Sequence, residues 1–175
     1  MADTKYVLDA DVLVTAARDY FAFDLVPDFW HALEAHANVD RVCSIDEIRQ
    51  RELKHPDKLR DWARSSFSAA FRSTADDVVI AAYADIARWA RRRQAVQGPR
   101  RERESRAAHL AKFLDGADGW LIAFAKAYHH TVVTLESKSG EGAYEIKIPN
   151  VCEAFDVPWC RTWDMMRDLG IVLSS

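Results

Sequence analysis

The sequence predicts an α/β fold, a short central parallel sheet flanked by helices, in which helix outweighs strand. Three features predict it. Short β-prone runs, K-Y-V-L at 5–8 and T-V-V-T at 131–134, alternate with longer segments whose apolar residues recur at helical spacing. The second run is rich in β-branched residues, as in a strand buried on both faces. Both runs lead into acids, Asp9 with Asp11 and then Glu136, at the carboxyl edge where open α/β sheets bind ligands.

In chain order, Val12, Leu13, Ala16, Ala17 and Tyr20 predict a helix starting near Asp11, with Asp11 as its N-cap, and finishing before Phe23. Pro27 opens a second helix whose apolar side is Phe29, Trp30, Leu33 and Ala37, ending near Asn38. Arg41 to Cys43 reads as strand two. Ser44 with Glu47 three residues later reads as a capping box opening a third helix, which stops before His55-Pro56. A short helix around Leu59 and Trp62 follows, and Ser65 to Ser73 reads as loop or broken helix. From Asp76 a long helix runs through Val79, Tyr83, Ile86 and Ala90 into an arginine cluster, until Gly98-Pro99 breaks it. A second arginine-rich helix leads to Phe113, so residues 76–113 are expected to form a helical hairpin projecting from the core.

Leu121, Ile122, Phe124, Ala125 and Tyr128 mark another helix, with Asp118 near its start, where an acid complements the helix dipole. After the strand T-V-V-T, S-K-S-G-E-G-A reads as a flexible turn. E-I-K-I reads as a strand stopped by Pro149, and Asn150 to Phe155 as a short helix. A last helix carries Trp163, Met166 and Leu169 and ends at Gly170.

The 175 residues, 49% hydrophobic and 29% charged, fit a single globular domain over 1–175 rather than a disordered or fibrous chain. No window reaches the roughly 18 apolar residues of a membrane span, and the first residues lack a signal-peptide pattern. Three cysteines, Cys43, Cys152 and Cys160, form neither a C-x-x-C pair nor a zinc pattern, so a reducing cytoplasm is the expected compartment. The net charge of −3 conceals a basic block from Arg88 to Lys112 beside an acidic remainder. Such a block suits RNA or an acidic protein, and equally a solvated helical face.

Four acids fall where this fold gathers strand ends and helix starts: Asp9, Glu47 or Glu52, Asp118 and Glu136. Hard carboxylate oxygens without histidine or cysteine suit Mg²⁺ or Mn²⁺ rather than zinc. A cation held this way aligns a phosphodiester and activates a water, which points to hydrolysis of a nucleic-acid backbone. Each acid also has a plainer role. Asp9 and Asp11 serve as caps, Glu47 completes a capping box, Asp115 caps the segment holding Asp118, and Glu136 is a solvated loop residue.

V-L-D-A-D-V-L at the first strand, S-I-D-E-I-R-Q-R-E-L, A-D-G-W-L-I-A, V-V-T-L-E and I-K-I-P-N-V-C, in that order over nearly the whole chain, resemble the PIN-like nuclease family, in its DUF4411 branch, related to VapC-type toxins. The resemblance implies a PIN-like fold and a divalent-metal-dependent ribonuclease, often a toxin neutralised by an antitoxin protein. It assigns Asp9, Asp118 and Glu136 to the metal site, with Thr134 as the threonine preceding the last acid. Asp11 takes a position more often held by a short polar residue. The family's second acid, counted three residues from Ile48, falls on Arg51, so Glu52 is ranked first and Glu47 second for that place.

The expected activity is therefore an Mg²⁺- or Mn²⁺-dependent endoribonuclease using Asp9, Glu52, Asp118 and Glu136, supported by Asp11, Thr134 and Asp115. Arg91, Arg92, Arg93, Arg100, Arg101 and Arg103 are expected to hold RNA phosphates. An antitoxin and a homodimer are the further partners expected. Two other readings stand beside it. In one, Arg51 disables the site and the fold serves as an RNA- or protein-binding module. In the other, D-A-D-V belongs to a HAD-like phosphotransferase using Asp9.

Overall fold

The computed structural model describes residues 3–95, 97–140 and 142–173. Five short strands form one sheet: β1 (Tyr6–Leu8), β2 (Val42–Ile45), β3 (Phe71–Arg72), β4 (Thr131–Val133) and β5 (Trp159–Cys160). Their order is β3-β2-β1-β4-β5, and every neighbouring pair is parallel. The helices are α1 (Ala10–Thr15), α2 (Pro27–Asn38), α3 (Asp46–Arg51), α4 (Lys58–Arg64), α5 (Asp77–Gln94), α6 (Arg100–Asp115), α7 (Asp118–Tyr128), α8 (Ile148–Ala154) and α9 (Thr162–Asp168). A π-helical stretch, Ala16–Tyr20, continues α1. The α/β class and the parallel sheet flanked by helices are thus as the sequence predicts.

The strand order fixes where a site can form. From β1 the chain steps outward through β2 and β3, then returns to the other side of β1 with β4 and β5. The winding reverses between β1 and β4, so the connections leave a crevice at their carboxyl ends. Asp9 directly follows β1, and its N–H donates to the Val133 carbonyl of β4 at 3.0 Å. The two strand ends are locked in register beside that crevice.

One apolar core joins Val7, Leu8 and Ile45 of the sheet to Leu33, Ile86, Leu121 and Ile122 of the helices, all fully buried. An aromatic cluster extends it under α4, where Trp30 meets Trp62 edge-on at 4.9 Å and Trp62 stacks on Phe67 at 4.5 Å. No helix among the described residues is long and apolar enough to cross a membrane. The three cysteines are free, and burial pushes the Cys43 and Cys152 thiols up to about 12.

Several local expectations are corrected. Ser44 caps nothing: it sits inside β2, and its hydroxyl donates to the Leu8 carbonyl across the sheet at 2.9 Å. The N-cap of α3 is Ile45, with no side-chain cap, and Asp46 in the first turn ties the helix start to the chain after β3, its Oδ1 accepting from Glu47 N–H and from Thr74 N–H and Oγ1. At α1 the N-cap position belongs to Asp9, with Asp11 in the first turn. Residues 145–148 form no strand: Ile148 already opens α8, and Pro149 lies in its first turn, where its missing N–H costs no helical bond. Strands β3 and β5, two residues each, fall where a loop and a helix junction were read.

The hairpin does not project freely. Val79, Ile86 and Ala90 of α5 are fully buried in the core, which makes the first arm a structural helix. Its end is pinned by Gln94, whose Nε2 donates to the Tyr144 carbonyl at 2.6 Å. The second arm, α6, keeps an open face.

Candidate metal centre and its basic approach

Asp9 is carried to the crevice by β1 and is only 4% exposed. Its Oδ2 accepts from Thr134 Oγ1 at 2.9 Å, and Thr134, itself fully buried, accepts in turn from Glu136 N–H at 3.1 Å. The carboxyl is held well above the usual carboxylate range, first by burial, then by Asp118, with Asp11 and Glu52 adding to it against the Thr134 bond.

Asp118 opens α7. The N-cap residue is Ala117 and no side chain caps this helix, so neither Asp118 nor Asp115 is spent on that task. Burial, Glu136, Glu52 and Asp11 push the Asp118 carboxyl up to about 7, while Lys112 opposes them. Glu52, more open to water, is also raised, first by desolvation and then by Asp11, against a backbone hydrogen bond from Ala117 and the charge of Arg51. Asp9, Asp11, Glu52 and Asp118 therefore lie within one another's fields.

That geometry separates the candidates for the second acid. Helix α3 ends at Arg51, and Glu52 occupies its C-cap with φ −110° and ψ −33°. Leaving the helix there carries the Glu52 carboxylate to Ala117, the residue before Asp118. Arg51 turns elsewhere: its Nε pairs with Glu47, and Nη1 donates to the Asp115 carbonyl at 2.8 Å. Arg51 is the partner of Glu47 and a clamp on the end of α6, not an occupant of the acid cluster. Asp115 contributes its carbonyl to that clamp.

Glu136 is held at the edge of the cluster. Its Oε2 accepts from Ile148 N–H at 2.7 Å and its Oε1 from Lys147 Nζ at 3.2 Å. Glu136 and Asp118 share a small cleft of about 40 Å³ whose walls include His109, Lys112 and Lys147. Sequence reasoning singled out neither His109 nor Lys147. The helical spacing of His109 and Lys112 was available as a signal, but Lys147 was hidden in a segment read as a strand.

The donor set suits a hard divalent cation in kind, since carboxylates gather at one crevice and burial disfavours the ionised forms of Asp9, Glu52 and Asp118. Among the described residues, however, no three His, Cys, Asp or Glu side chains are already gathered tightly enough to enclose an ion. Glu136 would have to exchange Lys147 for it. Asp9, Glu52 and Asp118, with Glu136, are the residues that would hold a cation, and exposed Asp11 lies at the mouth.

The six expected RNA-binding arginines are dispersed. Arg91 and Arg92 are exposed on the last turn of α5, and the Arg93 guanidinium lies 5.6 Å over the Trp89 ring. Arg100 pairs with Glu104 at 2.7 Å, Arg103 is exposed, and Arg101 lines an open groove beside Tyr144. Trp89 itself packs partly buried against the core, edge-on to Phe155.

A family model described as "Domain of unknown function (DUF4411)" matches residues 6–173. No curated protein and no solved structure matches the chain.

Proposed function

Because the chain belongs to the DUF4411 family, a domain of unknown function, its activity has to be argued from the site, and we propose that it is a PIN-like, divalent-metal-dependent ribonuclease. One observation carries the reading: buried Asp9, half-buried Asp118 and the more open Glu52 meet at the switch point of a parallel sheet, in one another's fields. Carboxylates brought together out of water are unfavourable unless a cation compensates them, and such sites are characteristic of function.

A bound Mg²⁺ or Mn²⁺ supplies charge compensation for the phosphoryl oxygens and a water of lowered pKa. The protein's own groups do the rest. Thr134 fixes the Asp9 carboxylate, Ala117 fixes Glu52, and Lys112, His109 and Lys147 draw a phosphate towards Asp118. Water adds to phosphorus as the bond to the leaving oxygen breaks, giving one phosphomonoester end and one hydroxyl end. The PIN-like and VapC-related reading also supports a toxin role and an antitoxin partner, in a cytoplasmic setting.

The test is direct. Purified protein is incubated with single-stranded RNA in Mn²⁺, in Mg²⁺ and in chelator, and Mn²⁺ uptake is followed by calorimetry. Cleavage that needs the cation and disappears in Asp118→Asn supports the reading. Absence of both cleavage and Mn²⁺ uptake overturns it, and tight Mn²⁺ uptake by the natural protein removes the alternative of an Arg51-disabled module.

A further inference from the structure

Helix α6 carries Arg101, Ser105, His109 and Lys112 at spacings of four, four and three residues, which places them in one stripe. Arg101 and Ser105 line an open groove of about 430 Å³ together with Tyr144, and His109 and Lys112 line the 40 Å³ cleft together with Lys147. The opposite wall of both is the same unbroken segment, Tyr144 to Lys147. The two cavities are successive lengths of one channel, bounded by α6 on one side and by 144–147 on the other. From Arg101 to Lys112 the helix rises about 17 Å, and the channel ends on Asp118 and Glu136.

The channel is built, not incidental. Gln94 donates to the Tyr144 carbonyl, and the Arg106 guanidinium lies 4.5 Å over the Tyr144 ring while its Nε pairs with Glu102 at 3.0 Å. Those contacts hold the wall at a fixed distance from α6 and anchor an aromatic ring at the wide end.

We propose that this channel is the path of a single strand of RNA, with Arg101, His109, Lys112 and Lys147 as its phosphate contacts and Tyr144 as its contact with a base or sugar, leading the strand to the acids. This rests on the nuclease reading for what happens at the end of the path, but binding along it is separable from cleavage. The walls carry the cations Arg101, Lys112 and Lys147 and the Tyr144 ring, the kinds of group that hold single strands, alongside the carboxylates Glu102, Glu145, Asp118 and Glu136. The channel, rather than the arginine cluster on the last turn of α5, is then the nucleic-acid surface: Arg91 and Arg92 do not line it.

The experiment is fluorescence anisotropy with a labelled RNA strand of about 12 nucleotides, in chelator so that no cleavage occurs. It compares the natural protein with Arg101→Glu/Lys112→Glu, Arg91→Glu/Arg92→Glu and Arg64→Glu, the last on α4 away from the channel. The channel pair is expected to weaken binding at least tenfold and to lower the salt slope by about 0.7 for each lost phosphate contact. The other two variants should stay within about threefold. Equal losses in the channel pair and in Arg64→Glu overturn the proposal, as does a larger loss in the Arg91/Arg92 pair or tighter binding of duplex than of single strand. Crosslinking of a 4-thiouridine strand to the unaltered protein needs no variant: adducts on 144–147 or α6 support the path, and adducts only elsewhere overturn it. Binding without cleavage in Mn²⁺ keeps the channel and sinks the nuclease reading. Cleavage with channel variants indistinguishable from Arg64→Glu does the reverse.

Discussion

Thr134 Oγ1 donates to Asp9 Oδ2 at 2.9 Å and accepts from the Glu136 backbone at 3.1 Å, so one hydroxyl ties the end of β1 to the chain leaving β4. It is the only side-chain donor to Asp9 among the described residues, and Asp9 is only 4% exposed. Thr134→Val keeps the shape of the side chain but removes this bond. Mn²⁺ affinity measured by calorimetry should fall roughly tenfold to a hundredfold, the usual cost of losing a group that orients a metal ligand. Thr134→Ser should retain most of it.

The acids also set how stability follows pH. Asp118 is raised to about 7, and Asp9 and Glu52 are raised as well, in each case with burial as the first cause. In the folded chain these groups hold protons at a pH where the unfolded chain has released them. Stability therefore falls as pH rises from the ordinary carboxylate range, near 4, through about 7. In chelator the thermal midpoint should decline across that window, and Asp118→Asn should flatten the decline, by roughly 2–4 °C for each kcal/mol recovered. Saturating Mn²⁺ should raise the midpoint at pH 8, because the cation binds only the folded form.

Glu52 and Glu47 give a sharper contrast. Glu52 receives a backbone hydrogen bond from Ala117 and its charge is felt at Asp9 and Asp118, whereas Glu47 is engaged by Arg51. Glu52→Gln should weaken Mn²⁺ binding tenfold or more, and Glu47→Gln should change it less than about threefold while costing roughly 1 kcal/mol of stability. Equal losses in the two variants would show that the helix end is misassigned.

Why the sequence left Glu47, Arg51 and Glu52 unresolved is visible at this helix. The family's count of three residues from Ile48 lands on Arg51, but α3 has six residues and Glu52 is already its cap, so the chain leaves the helix at that point. Asp9, Asp118 and Glu136 were legible because each adjoins a local signal, a strand end or a helix start. Strands β3 and β5 were not, since two residues carry no period and their pairing is entirely nonlocal. The same holds for Ser44, whose bond to Leu8 crosses the sheet, and for Lys147, which reaches the cleft only because 144–147 folds back against α6.

Gly119 offers a test of the packing behind Asp118. A Cβ added there would lie 3.0 Å from Tyr83 Cε2 and 3.4 Å from Phe113 Cζ. On propensity alone, alanine within α7 should gain up to about 1 kcal/mol. Tyr83, however, has no room to yield: its ring stacks on Trp120 at 3.8 Å with the planes 2° apart, and its hydroxyl donates to the Leu114 carbonyl at 3.1 Å. Phe113 is buried on the other side. The clash therefore outweighs the propensity gain, and Gly119→Ala should destabilise the protein by roughly 1–2 kcal/mol, in the range of overpacking in well-packed interiors. The strain falls on the first turn of α7, so Mn²⁺ affinity should drop as well. Tyr83→Phe in the same background leaves the ring in place and should not restore either property, whereas Tyr83→Leu removes the edge that the new methyl meets and should recover part of the affinity. If Gly119→Ala instead raises the thermal midpoint, the close contact between α5 and α7 at Tyr83 is looser than the stack implies.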